Sequence, residues 1–162
     1  MGFQRAVIRE GEDASLDDLD VSTLGVSDAG SKIALDTNQT IADTNEEIIS
    51  FDSTQLNTDG SADLSGNQVV IQEAGRYIIT GQWQPIQFSA SGPHLCIIRL
   101  KVNGGNAANS SLELGEFNYV NTTSVYEVAA GDSIQLSAEI RGASCDVRGT
   151  PFATYLVVVR VG

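Results

Sequence analysis

Gly75-Arg76-Tyr77-Ile78-Ile79, which enters the β-forming run that ends at Trp83, is the stretch that decides how this 162-residue chain folds. A Gly-x-Tyr-x-Ile run puts Tyr77 and Ile79 on one face of a strand, because alternate side chains share a face, and a buried Tyr ring removes ~150–250 Å² from water. Gly75 is read as the tight entry to that strand, with its φ unrestricted. Upstream lie a short apolar strand, Gln68-Val69-Val70-Ile71, and a turn at Asp59-Gly60.

Working outward, short β-forming runs alternate with turn signals from Glu46 to the end, and no run keeps a helical period. Strands are expected at 47–51, 68–71, 76–83, 94–102, 111–119, 124–128, 133–141 and 152–161. So many short strands imply an all-β antiparallel sandwich. Asn103-Gly104-Gly105, Asp59-Gly60 and Ala130-Gly131-Asp132 supply the positive-φ residues that hairpins need. The expected core takes in Phe51, Tyr77, Ile79, Ile134 and Leu136.

In Ser133–Ile140 every second residue is apolar, so one face of that strand is buried and the other open. Leu95–Ile98 and Tyr155–Val159 are apolar on both faces. An outward apolar face has to be hidden against another chain, and this predicts an oligomer.

Residues 1–45 differ in composition. They carry nine acidic residues against Arg5, Arg9 and Lys32, and Phe3 is their one aromatic. Such a segment buries little apolar surface alone, so it reads as an extended arm that orders against a partner; a solvated acidic tail is the alternative. Ala6-Val7-Ile8 is a short strand able to add to a neighbour's sheet edge. Phe3, Val7, Ile8, Leu16 and Leu19 are the candidate docking side chains of this arm.

A formal net charge of −12 with nine Lys and Arg repels phosphate backbones, so no nucleic-acid partner is expected. The apolar runs fall far short of the ~20 residues of a membrane helix, and no membrane partner is expected. The first residues lack the apolar core of a signal peptide, so export by that route is not expected. Without it, two free buried thiols at Cys96 and Cys145 are favoured over one bridge. Asn-x-Ser/Thr triplets at Asn38, Asn109 and Asn121 matter only in a secreted eukaryotic protein.

Catalysis needs a nucleophile beside a base, paired acids or a metal. The single histidine, His94, opens a strand after Pro93 and reads as an edge residue. No nucleophile elbow or phosphate loop occurs, and the acidic run Glu10–Asp20 lacks the ligand alternation of a calcium loop. No enzyme, cofactor or metal site is expected, although Asp59, Asp63 and Asp132 lie on loops. Trp83 and Phe88 are read as either core or a recognition surface, and Arg76, Arg141 and Arg148 as possible partners for acids across a subunit boundary.

Residues 46–162 resemble the jelly roll of the complement one-q and tumour-necrosis-factor superfamily. Phe51 stands where that family has an aromatic, Asn57 where it has Asn or Asp six residues on, and Gly75 and Tyr77 where it has Gly-x-Tyr. Ala62, Val69 and Ile79 depart from the aromatics usual at their places. Ala130-Gly131-Asp132-Ser133-Ile134-Gln135-Leu136 is similar to the turn before the penultimate long strand. Phe152–Val158 looks like the closing strand, which in the family runs beside a three-fold axis. The resemblance implies a homotrimeric jelly roll, with Phe152, Leu156, Val158, Ile98 and Tyr119 at the trimer interface. An acidic trimer with an amino-terminal arm leads to an expectation of a virion protein: a bacteriophage capsid decoration, or cement, protein. Its partners would be itself and the major capsid protein, on the outer capsid surface. The alternative is a receptor- or carbohydrate-binding head of a phage fibre, or a secreted recognition module of the same fold.

Overall fold

The computed structural model describes residues 26–92, 94–114 and 118–161. Fourteen strands run through these residues: β1 (Val26–Ala34), β2 (Gln39–Ile41), β3 (Glu46–Ile48), β4 (Ser53–Asn57), β5 (Ala62–Asp63), β6 (Gln68–Val70), β7 (Gly75–Trp83), β8 (Pro85–Phe88), β9 (His94–Val102), β10 (Gly105–Leu114), β11 (Val120–Val128), β12 (Ser133–Arg141), β13 (Cys145–Val147) and β14 (Tyr155–Val161). No helix occurs among the described residues.

One sheet has five strands in the order β11-β7-β14-β1-β4. The other runs β10-β9-β12-β6-β5, with β3 also paired to β12, and β2-β13-β8 form a small third sheet. All the strand pairings are antiparallel. This is the antiparallel sandwich the strand pattern predicts.

Between the two larger sheets lie Ile33, Tyr77, Ile79, Trp83, Ile98, Leu100, Ile134, Leu136 and Leu156, all buried. Phe51, Tyr77, Ile79, Ile134 and Leu136, read from sequence as core, are all in this cluster. Tyr77 keeps its polar end satisfied by donating its hydroxyl proton to the Glu73 carbonyl at 2.9 Å. The sheets approach closely where β7 carries Gly81, because a Cβ there would run into the Leu136 side chain.

Asn103 and Gly104 both take positive φ (50° and 78°), so two residues turn β9 into β10. Gly75 has an ordinary φ, contrary to its reading as a conformational hinge. Its missing side chain instead makes room for the Arg160 guanidinium, whose Nε would lie 2.9 Å from a Cβ.

The boundary expected at residues 45/46 falls inside the sandwich. β1 hydrogen-bonds to β14 on one side and β4 on the other, and Ile33, Leu35 and Ile41 are buried. Its composition misleads because a buried polar residue is tied down: the Ser31 hydroxyl meets Asn57 Oδ1 at 3.0 Å and Ser61 Oγ at 2.6 Å. Asn57, quoted above for its place in the family pattern, is thus the residue that holds β1 to the turn after β4; its Oδ1 also accepts from the Ala62 amide. Phe3, Val7, Ile8, Leu16 and Leu19 lie outside the described residues.

Candidate interaction surface

The register of the five-stranded sheet decides which side chains look outward. In one row Leu56 stands opposite Lys32, Lys32 opposite Val157, Val157 opposite Thr80, and Thr80 opposite Thr123. In the next, Gly30 pairs Val159, Val159 pairs Ile78, and Ile78 pairs Val125. Val125 is 56% exposed and Ile78 39%, while Val157 and Val159 are half-buried. A third row brings Tyr155 beside Gln82 and Asn121. Lys32 Nζ lies 4.8 Å from the Tyr155 ring centre and 5.8 Å from that of Phe152, a favourable approach of a cation to aromatic faces. This face is therefore apolar along its middle, with an aromatic and cationic corner.

Of the residues expected at a trimer interface, Phe152 (81% exposed) and Tyr119 (48%) are on the surface. Leu156, Val158 and Ile98 are not. Each is at most 1% exposed and points between the sheets. The reason is the period of two: on β14 the outward set is Tyr155, Val157 and Val159, one residue out of phase with the expected set.

On the outward face of the other large sheet a charged network covers β12, while Asn109, Ser111 and Glu113 of β10 stay exposed. β3 lies along β12 and brings Glu46 over it. Glu46 accepts from Lys101 at 2.5 Å and from the Ser137 hydroxyl at 2.7 Å, and Arg99 approaches it at 3.5 Å. Arg99 also pairs with Glu139, which takes a second bond from Arg141 at 2.5 Å. Ser137 and Glu139 are consequently buried, although the alternation of β12 predicts an open face there. Burial alone would raise both carboxyls. The hydrogen bonds and charges of Lys101, Ser137 and Arg99 at Glu46, and of Arg141 and Arg99 at Glu139, outweigh it and hold both below the usual carboxylate range.

The remaining candidates are held locally. His94 is buried, its Nε2 3.0 Å from the Ala90 carbonyl and its ring 4.5 Å from that of Phe88. Trp83 is wholly buried in the core. Asp63 is bound by Ser65, Gln68 and the Gly66 amide, Asp132 by Asn103 and the Ala129 amide, and Asp59 by the Ser61 amide. No group of three or more metal-binding side chains occurs among the described residues. Arg76 pairs with Glu127 at 3.1 Å, Arg141 with Glu139, and Arg148 donates to Gln84 at 3.3 Å, all within the chain. Cys96 and Cys145 are free and buried; burial pushes the Cys96 thiol up to about 12 and raises Cys145 as well.

Concavities open on the surface formed by the described residues. One, of about 380 Å³, lies where β7 begins and β11 ends, lined by Ala74, Gly75, Arg76, Glu127, Val128 and Ala129. Another, of about 190 Å³, sits on the small sheet beside the Thr40–Asp146 hydrogen bond of 2.6 Å.

No protein-family model matches the chain, and no curated protein matches it. Solved structures do share its fold. Eiger TNF from S. frugiperda superposes with a TM-score of 0.61 at 10% identity, covering 83% of this chain and 92% of that one. Murine APRIL at pH 5.0 superposes with a TM-score of 0.61 at 13% identity, covering 82% and 98%. At such identities the likeness is one of fold, a tumour-necrosis-factor-like sandwich. A coverage of 83% is more than residues 46–162 can supply, so the shared fold takes in residues upstream of Glu46.

Proposed function

We propose that the protein is a structural virion protein, a capsid decoration protein that sits as a homotrimer on the outer surface of a bacteriophage shell and stabilises it. The observation that carries the self-association is the row Val159–Ile78–Val125 on the outward face of the five-stranded sheet. Among the described residues Ile78 and Val125 stay exposed, whereas on the opposite face an ion-pair network around Glu46 and Glu139 covers β12. Burying such a row against further copies removes apolar surface from water at roughly 25 cal/mol per Å².

The shell-binding half of the reading rests on the segment before Val26. It holds six acidic residues against Arg5 and Arg9, with Phe3, Val7 and Ile8 near its start. Three such segments on one trimer engage neighbouring capsid subunits together, and multivalency turns weak single contacts into lasting attachment. A net charge of −12 disfavours nucleic acid as the partner.

Cosedimentation with empty capsids tests this directly. The full chain is expected to pellet with the shells, and the chain lacking residues 1–25 to stay in the supernatant. A full chain that stays in the supernatant, or a truncated one that still pellets, contradicts the mechanism.

A further inference from the structure

The turn that joins β9 to β10 carries the chain's single Asn-Gly pair, Asn103-Gly104. A glycine after an asparagine leaves the next backbone nitrogen free to approach the side-chain amide, because no Cβ obstructs it. Gly104 is exposed, and nothing stands within 4 Å of where a Cβ would lie. Sterically, the turn is open to attack of that nitrogen on the Asn103 amide.

The Asn103 side chain, however, is held. Its Nδ2 donates to Asp132 Oδ1 at 2.7 Å, and its Oδ1 accepts from the Ser133 backbone amide at 2.9 Å and from the Ser133 hydroxyl at 3.4 Å. An ionised carboxylate only accepts and a backbone N–H only donates, so the nitrogen has to face Asp132 and the oxygen Ser133. The Asn103 backbone amide also donates to the Ser133 carbonyl at 2.9 Å, and one residue thus clasps the β9–β10 turn to the β11–β12 turn. Asp132 is fixed in its own right, by the Ala129 amide donating to Oδ2 at 2.8 Å and the Ile71 amide donating to its carbonyl at 2.8 Å. The Asn103 donor, with that of Ala129, keeps the Asp132 carboxyl below the usual carboxylate range, so it is charged at neutral pH.

We infer that Asn103 is a covalent modification site: the clasp to Asp132 and Ser133 restrains its conversion to aspartate or isoaspartate in the folded protein, and conversion leaves that clasp broken. In the reaction the Gly104 nitrogen gives up its proton and bonds to Asn103 Cγ; the Cγ–Nδ2 bond breaks, and ammonia leaves with that proton. Water then opens the resulting cyclic imide at one of its two carbonyls, giving aspartate or isoaspartate. Ring closure turns the side chain over the Gly104 nitrogen, so its bonds to Asp132 and Ser133 have to open first. The product has no donor for Asp132. Two like charges then face each other where a hydrogen bond stood, in a chain already at −12. The inference is independent of any capsid partner.

Peptide mapping by mass spectrometry, after incubation of the full chain in mildly alkaline buffer, tests it. In denaturant Asn103 is expected to convert before any other asparagine. In the native protein it should convert at least tenfold slower, since only molecules with the clasp open react. Asp132→Ala should raise the native rate several-fold. Asn103→Asp, which reproduces one product, should lower the urea midpoint, and adding Asp132→Asn should restore most of the loss, because the new amide then donates to the new carboxylate. Native conversion as fast as in denaturant, a native rate unmoved by Asp132→Ala, or a paired substitution that restores nothing overturns the inference. Should Asp132→Ala fail to fold, the paired substitution still decides it.

Discussion

Val125 stands directly opposite Ile78 on the outward face of the five-stranded sheet, and both side chains are exposed among the described residues. The adjoining residue in the row, Val159, is half-buried, so three apolar side chains from three neighbouring strands meet solvent together. A scattered exposed valine needs no explanation, but a contiguous apolar row is the kind of surface that the proposed self-association would cover.

The two faces of β14 give opposite expectations for mutation. Leu156 is fully buried among the core side chains, so Leu156→Ala is expected to lower unfolding free energy by about 2–5 kcal/mol. Phe152 is 81% exposed, and Phe152→Ala should leave the stability of the single chain within about 0.5 kcal/mol. Urea titrations of both variants, made at a concentration where the protein is monomeric, check this. Equal losses would mean that the phase of the closing strand is misassigned.

Stability should fall in acid through the cluster under β3. Glu46 and Glu139 are held below their ordinary values, so their contribution is present above the unfolded carboxylate pKa of about 4.3 and is lost as pH falls through the depressed folded values. The urea midpoint is expected to stay level from pH 7 to about 5 and to drop below about 4.3. Glu139→Gln should lower the neutral-pH midpoint, because Arg99 and Arg141 lose a charged partner, and should make the acid drop shallower. An identical acid drop in the variant would place its origin elsewhere.

Both thiols should be silent in the native protein. Cys96 and Cys145 are buried and their ionisation is pushed up by desolvation, so little thiolate is present or reachable at pH 8. A chromogenic disulfide reagent is expected to titrate no thiol in buffer and two per chain in denaturant. Fewer than two in denaturant would indicate a bridge.

Gly149 is constrained by its neighbours, since a Cβ there would overlap the backbone of Thr37 and Asn38, and its amide donates to Asn38 Oδ1 at 2.8 Å. Backbone cannot swing aside as a side chain can. Gly149→Ala is expected to cost about 1–3 kcal/mol in a thermal or urea transition. A neutral effect would show that the link from Leu35 to β2 is loosely held.

How legible this was in the sequence depended on alternation. β9 and β12 begin and end where the residue pattern places them, at His94–Val102 and Ser133–Arg141, because β12 carries a long period-two run and β9 an unbroken β-forming run, each beside a strong turn signal. β1 escaped because its Ser-Asp-Ala-Gly-Ser run has the look of a turn; only Ile33 and the terminal aliphatics hint at burial, and the hydroxyl of Ser31 is paid for by residues 26 or more positions away. β2, β8 and β13 are three or four residues long, too short to show a period. The surface was half legible. An excess of apolar residues on β14 is evident by inspection, but which alternate set looks outward is settled by pairing with β1 and β7. Glu46 gives no local sign that it will cover Arg99 and Lys101, some fifty residues further along.

The solution mass of the full chain, measured by light scattering on a size-exclusion column at micromolar concentration, bears most directly on the central claim. Three copies of the 17.1 kDa chain are expected, falling to one in Val125→Asp with the β-sheet circular dichroism unchanged. A parent protein that elutes as a single copy, or a Val125→Asp variant that remains three, would contradict the assignment of this face to self-association.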